Sequence, residues 1–207
     1  MNSAASTFNR LLKILTDASS EFIPPEGAST KKISEIEDFF GHELPAGLRE
    51  IYRIHDGEFS YGSSDTLGLF FGYEFLSLDH SRELLRGFRR GAALLAEAGG
   101  VDDYSYASIP ENSVANVFCD KKWFPIAGFF SGNHLAIDFS PGPSGSAGQI
   151  INFGPDDFIH FQIATGFDDF LNLLESKYRN RIWHPIFSGE NWNLYDELKG
   201  VDGRLPR

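Results

Sequence analysis

Residues 121–154 read KKWFPIAGFFSGNHLAIDFSPGPSGSAGQIINFG. Two short apolar runs, Trp123–Ala127 and His134–Phe139, are joined by the turn Ser131-Gly132-Asn133. A third, Gln149–Phe153, follows the glycine- and proline-rich crossing PGPSGSAG. Short apolar runs punctuated by Gly, Pro, Asn and Ser read as consecutive strands. Parallel neighbours need a crossover of a dozen or more residues, so these three are expected side by side and antiparallel. Pro125 lacks an N–H, which implies a bulge, an edge or a strand end at that point. Trp123 reads as a core plug whose indole N–H finds a backbone carbonyl.

Working outward, the N-terminal part has helical period. Ser6–Ala18 carries Phe8, Leu11, Leu12, Ile14 and Leu15 on one broad face. A second helix starts at Ser29 or Thr30 and stops at Gly41. A third follows Pro45 and stops by Gly57. Glu37 on the second helix is either a flank charge or a partner for backbone in a neighbouring loop. The period then changes, and Leu67–Phe71 and Tyr73–Leu78 read as aromatic-rich strands. Asp79 is expected to cap a fourth helix through Ala98, with Arg82, Arg86, Arg89 and Arg90 forming a solvated basic face paired with nearby acids. Gly99–Asn116 has no period and reads as a long connection. Phe158–Ile163 reads as a further strand, and Phe167–Tyr178 as a last amphipathic helix. Helices, then sheet, then helix describe an α+β domain with a largely antiparallel sheet and helices packed against it.

The stretch at 121–154 also carries the order W-x-P, S-G-N, L-x-I-D, P-G-x-x-G, G-Q-I-I-x-F. Upstream lie Ile23-Pro24-Pro25, STKKISEIEDFFG at 29–41, Leu44-Pro45 and GLREIYRIHDG up to Gly57. In this order the sequence resembles the SUKH superfamily, which includes fungal cell-wall-synthesis regulators of the Smi/Knr type and many bacterial immunity proteins. The resemblance runs from about residue 24 to 178. It implies a single SUKH-like domain over 1–207, with helix 6–18 and the tail 179–207, which holds Trp183 and Trp192, as extensions.

Composition bounds the class independently. A chain of 207 residues that is 42% hydrophobic fits one globular domain, and at this size roughly 70% of the unfolded surface can be buried. With 20 Phe against 1 Met, the core is expected to be built from rings. There is no charged leader followed by an apolar run, and Leu67–Leu78 is too short and too polar to cross a bilayer. A cytoplasmic protein is the expectation. The lone Cys119 excludes an internal disulfide and a multi-thiolate zinc site.

No catalytic constellation assembles. His134 and Asp138 stand at i, i+4 on one strand face and are the only pair with the makings of a base and its orienter or of two metal ligands. They read instead as a strand-edge His and an Asp that ends the strand by bonding backbone in the following turn. The histidines lack H-E-x-x-H spacing, there is no G-x-S-x-G, and Gly142, Gly145 and Gly148 match neither phosphate-binding fingerprint. The expectation is a protein that is not an enzyme and needs no cofactor or metal.

The charge is unevenly placed. Of a net −11, most falls between Gly91 and Ser176, where eleven acids face two bases, Lys121 and Lys122. An acidic half disfavours nucleic acid, whose phosphates are neutralised by Lys and Arg, and favours a basic protein partner. The expected contact residues are the loop acids Asp102, Asp103, Asp156 and Asp157, with Asp138 beside them and Tyr104 and Tyr106 as aromatic anchors. The resemblance implies an immunity protein that neutralises a cognate toxin, commonly a basic nuclease. The alternative it implies is a regulatory adaptor of the Smi/Knr type. Long extensions mark the fungal members, and the short ends of this chain favour immunity.

Overall fold

A computed structural model describes residues 3–18, 25–58, 68–97, 105–129 and 131–179. The tail with Trp183 and Trp192 lies outside them. The elements in chain order are α1 (Ala4–Ala18), α2 (Thr30–Phe40), α3 (Ala46–Ile54), β1 (Glu74–Phe75), α4 (Leu78–Glu97), β2 (Ala107–Ile109), β3 (Trp123–Gly128), β4 (His134–Asp138), β5 (Gln149–Phe153), β6 (Ile159–Ala164) and α5 (Phe167–Arg179). The strands form one sheet in the order β1-β3-β4-β5-β6-β2. Its pairings are antiparallel except β2 with β6, which is parallel. The fold is α+β.

The three strands at 121–154 pair as neighbours, with Trp123 opposite Asp138 and His134 opposite Phe153. The register shifts between Pro125 and Ala127. This bulge sits where the missing proline N–H interrupts the ladder, and the Pro125 carbonyl accepts from the Ser81 hydroxyl at 2.8 Å. Every residue of β3, β4 and β5 is buried, so both faces of the sheet centre are covered.

Alternation along the strands divides the core in two. Phe124, Leu135, Ile137, Ile150 and Phe161 face the helical layer, where Phe8, Ile36, Leu48, Ile51, Phe170 and Leu174 complete one hydrophobic cluster. Trp123, Ala136, Ile151 and Phe153 face the other way, against Val114 and the partly buried Phe88, Val117 and Cys119. Rings dominate, as composition implied. Phe40 meets Phe124 edge-on at 5.1 Å, and Phe70 meets Phe170 at 5.3 Å. Burying each such ring stabilises by about 1.5–3 kcal/mol.

Local chemistry sets the helix ends. The Ser29 hydroxyl accepts from Lys32 N–H at 3.2 Å, opening α2, and Gly41 closes it at φ 92°, a left-handed value that suits glycine. Glu37 bonds backbone, accepting from Leu44 N–H at 2.7 Å in the loop leading to α3. The first helix is tied to the last. Arg10 grips Glu175 with two N–H donors at 2.5 and 2.9 Å, and Arg179 joins from the next turn. These bonds hold the Glu175 pKa down to about 2.

Three expectations are corrected. The aromatic strands at 67–78 shrink to the two-residue β1 and a Phe70–Tyr73 bridge, because Gly68, Phe71 and Gly72 take positive φ and fold the chain into a turn. Ser77, not Asp79, caps α4: its hydroxyl accepts from His80 N–H at 3.3 Å, while Asp79 lies inside the first turn and pairs with Lys32 at 2.6 Å. The long connection 99–116 contains β2, and of its described part Tyr106, Ser113 and Val114 are buried.

Candidate partner-binding surface

Asp102, Asp103 and Tyr104 lie outside the described residues. Among the other expected contact residues, Asp138 is 0% and Asp157 3% exposed, so neither offers a carboxylate to a partner. Asp156 is exposed. Tyr106 is 7% exposed and forms the floor of a surface rather than an anchor on it.

Asp138 is buried for a reason that can be counted in hydrogen bonds. It sits on the face of β4 that carries Trp123 and Gln149 across the adjacent strands. Its carboxylate accepts from Ser140 N–H at 2.7 Å and from the Gln149 amide at 2.9 Å. Gln149 gives its second N–H to Ser113 O at 2.8 Å, and its oxygen accepts from Ser146 N–H and the Gln162 amide. Both Asp138 carboxylate oxygens and every polar atom of the Gln149 amide are thereby paired. Burial raises the Asp138 pKa, opposed first by the Ser140 N–H. The Trp123 indole N–H faces this carboxylate, without hydrogen-bond geometry, rather than the backbone carbonyl expected of it.

His134, four residues away, is about 13 Å along an extended strand. Its ring stacks on Phe153 at 5.3 Å and meets Phe88 edge-on, and burial pulls its pKa down to about 4. The two residues therefore serve opposite ends of β4 and share no site. Among the described residues, no group of three or more His, Cys, Asp or Glu is placed to hold a metal ion. None of the described helices is long and apolar enough to cross a membrane.

The exposed chemistry is aromatic. Phe118 and Phe158 are 40% and 50% exposed, the large hydrophobic side chains that the described surface presents to solvent. Both lean on Tyr106: Phe158 lies nearly parallel to it at 6.2 Å, and Phe118 is tilted at 6.4 Å. Beneath, the His160 ring stacks on Tyr106 at 5.3 Å and 11°. His160 is itself fixed by Asn152 O and Val117 O, at 3.1 and 2.9 Å from its two ring nitrogens. Burial lowers its pKa, with the two carbonyls opposing.

Backbone geometry holds the rings together. Tyr106 N–H donates to the Asn116 side chain at 2.7 Å, and Ala107 N–H to Phe158 O at 3.0 Å, so β2 starts against the β5–β6 turn. That turn is braced from the β3–β4 turn, where the Asn133 side chain donates to Asp156 Oδ2 at 3.3 Å and accepts from Asp156 N–H at 3.2 Å. β2 ends the strand order, which leaves its far side as the sheet edge. The Phe158 and Phe118 positions were not singled out from sequence. The available signal was an aromatic residue directly after the polar turn Pro155-Asp156-Asp157, where burial is not the default.

One further carboxyl is strongly displaced. Glu58 accepts from Leu69 N–H at 3.1 Å and from Phe75 N–H, fastening the turn before β1. Burial pushes its pKa up to about 7, these N–H groups oppose, and neighbouring Glu74 adds to the rise.

Among the described residues, five helices pack on one mostly antiparallel sheet, with buried polar groups serving structure and rings on the outside: an α+β domain. The chain belongs to the SMI1 / KNR4 family (SUKH-1), whose family model matches residues 27–173. It is 34% identical over 163 residues to the cell wall biosynthesis/cell cycle regulator smi1 of Schizosaccharomyces pombe, covering 76% of this chain and 32% of that protein. It is 25% identical over 199 residues to the cell wall assembly regulator SMI1 of Saccharomyces cerevisiae, covering 81% and 39%. It is 25% identical over 186 residues to the glucan synthesis regulatory protein of Neurospora crassa, covering 76% and 35%. The chain thus spans about a third of the length of the curated relatives it matches.

These relatives are named as regulators and not as enzymes. They overturn the reading as a toxin-neutralising immunity protein with a basic toxin as partner. That reading leaned on chain ends and on an acidic half whose members Asp138 and Asp157 are internal and whose Glu175 is ion-paired.

Proposed function

We propose that this chain is a non-catalytic regulatory adaptor domain that docks intracellular protein partners in the control of cell-wall synthesis. The observation that carries the reading is the exposed ring cluster of Phe158 and Phe118 on Tyr106 at the β2 edge. Interface energy concentrates in aromatic side chains set in a rigid frame, and exposed apolar surface in a charged, soluble chain marks a binding site. Asp156 stands beside the rings, and the segment with Asp102, Asp103 and Tyr104 directly precedes Ser105 in the chain. Asp156 and, by chain position, Asp102, Asp103 and Tyr104 are counted in the proposed contact surface; the buried Asp138 and Asp157 are not. The names of the relatives support the regulatory setting.

A chimera tests this. The segment of S. pombe smi1 that matches this chain is replaced by it, and growth is scored in the presence of a wall-digesting enzyme. The expected result is resistance like that of the parent strain. Phe118→Ser with Phe158→Ser should abolish resistance while the purified domain keeps its circular dichroism spectrum. A folded, expressed chimera without resistance, or full resistance in the double variant, sinks the reading.

A further inference from the structure

On α4, Arg82, Arg86, Arg89 and Arg90 recur at helical spacing, and three of the four converge on a single ring of α2. The guanidinium carbons of Arg89, Arg86 and Arg82 lie 4.5, 5.5 and 5.9 Å from the Phe39 ring centroid. Of the pairing with nearby acids expected from sequence, one interaction is present: Asp79 feels the charge of Arg82 while its hydrogen bond goes to Lys32. Among the described residues none of the four arginines forms a salt bridge, and Glu83, beside Arg82 and exposed, bonds to none of them. The acids close by are engaged elsewhere: Asp79 and Asp56 hold Lys32, and Glu37 and Glu43 face Arg49. Arg89 is further fixed by donating to Phe39 O at 3.0 Å at the end of α2. Arg82 Nε is buried without an acceptor.

Gathering guanidinium groups against one another opposes Coulomb repulsion, and the negative face of Phe39 offsets it. The result is a fixed cluster of positive charge with unused N–H donors, on a protein whose net charge is −11. All four residues are Arg, with no Lys among them. The planar guanidinium fork pairs bidentately with tetrahedral oxyanions, and a cluster of three suits a dianion better than a lone carboxylate. We propose that the Arg82–Arg86–Arg89 face over Phe39 is a binding site for a phosphorylated segment of a partner protein, with a phosphoserine or phosphothreonine as the group recognised. This surface lies on α2 and α4 and does not depend on the ring cluster at the β2 edge.

The probes are three labelled pools of degenerate heptapeptides with a central phosphoserine, serine or glutamate, titrated against the full chain and followed by fluorescence anisotropy. The phosphoserine pool is expected to bind in preference to both others, and more weakly as salt is raised. Arg82→Ala with Arg86→Ala should weaken it by about tenfold or more at unchanged circular dichroism. Phe39→Leu, which keeps an apolar side chain but removes the ring, should weaken it by a smaller factor. Phe158→Ser should leave it unchanged, which separates this site from the adaptor surface. Equal binding of the phosphoserine and serine pools overturns the proposal, and so does phosphoserine binding that the double variant leaves intact. A glutamate pool that binds as tightly assigns the face to acidic peptides instead. A short RNA that outcompetes the phosphoserine pool and is lost with the double variant assigns it to nucleic acid.

Discussion

Asp138 and Gln149 stand directly opposite each other on β4 and β5, and the Gln149 amide donates to the Asp138 carboxylate at 2.9 Å. The same carboxylate turns the chain out of β4 through Ser140 N–H. The pair therefore closes the sheet end while pairing one buried and one part-buried donor.

Asp138→Ala strands the Ser140 N–H and one Gln149 N–H inside the protein. Leaving buried donors unpaired costs about 2–3 kcal/mol here. Urea denaturation should show a loss of that order. Asp138→Asn keeps one acceptor for Ser140 and should lose less. If Asp138→Ala unfolds at the wild-type midpoint, the network contributes nothing to stability.

Glu58 and His134 pull stability in opposite directions with pH. The folded Glu58 carboxyl, at about 7, keeps its proton between pH 4.5 and 7, where the unfolded chain has released it. Its contribution is complete below 4.5 and gone above 7. His134, at about 4, stays neutral in the fold while the unfolded imidazole takes up a proton below 6.5. It loses stability as pH falls from 6.5 to 4, and His160 is shifted in the same direction. Each group contributes a slope of at most about 1.4 kcal/mol per pH unit. Glu58→Gln removes the opposing gain, so its stability should fall more steeply than wild type on acidification from pH 7 to 4.5. Parallel pH profiles for the two proteins would show that Glu58 does not titrate in this range.

Gly154 lies at φ 154°, with the position of an added Cβ 2.6 Å from Asn133 Cα and 2.4 Å from its Oδ1. Gly154→Ala must push Asn133 off Asp156 and open the corner that carries Phe158. The expected cost exceeds about 1 kcal/mol. Amide hydrogen exchange should accelerate at Asp156 and Asp157 before it does in β4. An unchanged exchange pattern would mean that the turn is not held by Asn133.

The parts legible in sequence are those with strong punctuation. Ser29 and Gly41 bracket α2 because a hydroxyl and a missing Cβ each solve a helix-end problem locally. Ser131-Gly132-Asn133 and the PGPSGSAG crossing isolate β3, β4 and β5 in the same way. β2 was missed because three residues are too few to establish a period, and its pairing with β6 is fixed by partners some fifty positions away. Asp138 and Asp157 were misplaced on the surface because charge is normally solvated. For Asp138, the complement that makes burial tolerable, Gln149, is visible only once register is known. Tyr106 was expected as an aromatic anchor but is buried, and the rings that reach solvent are its neighbours Phe118 and Phe158, brought to it from far along the chain.

The Arg10–Glu175 grip joins the first described helix to the last. Incoming and outgoing chain are therefore clasped at one point, and the domain between them hangs like a pendant from a closed link. Such a unit can be spliced into a longer polypeptide without forcing the flanking segments apart. Its insertion preserves the path of its host. The relatives of which this chain spans about a third have the greater part of their length outside the matched segment.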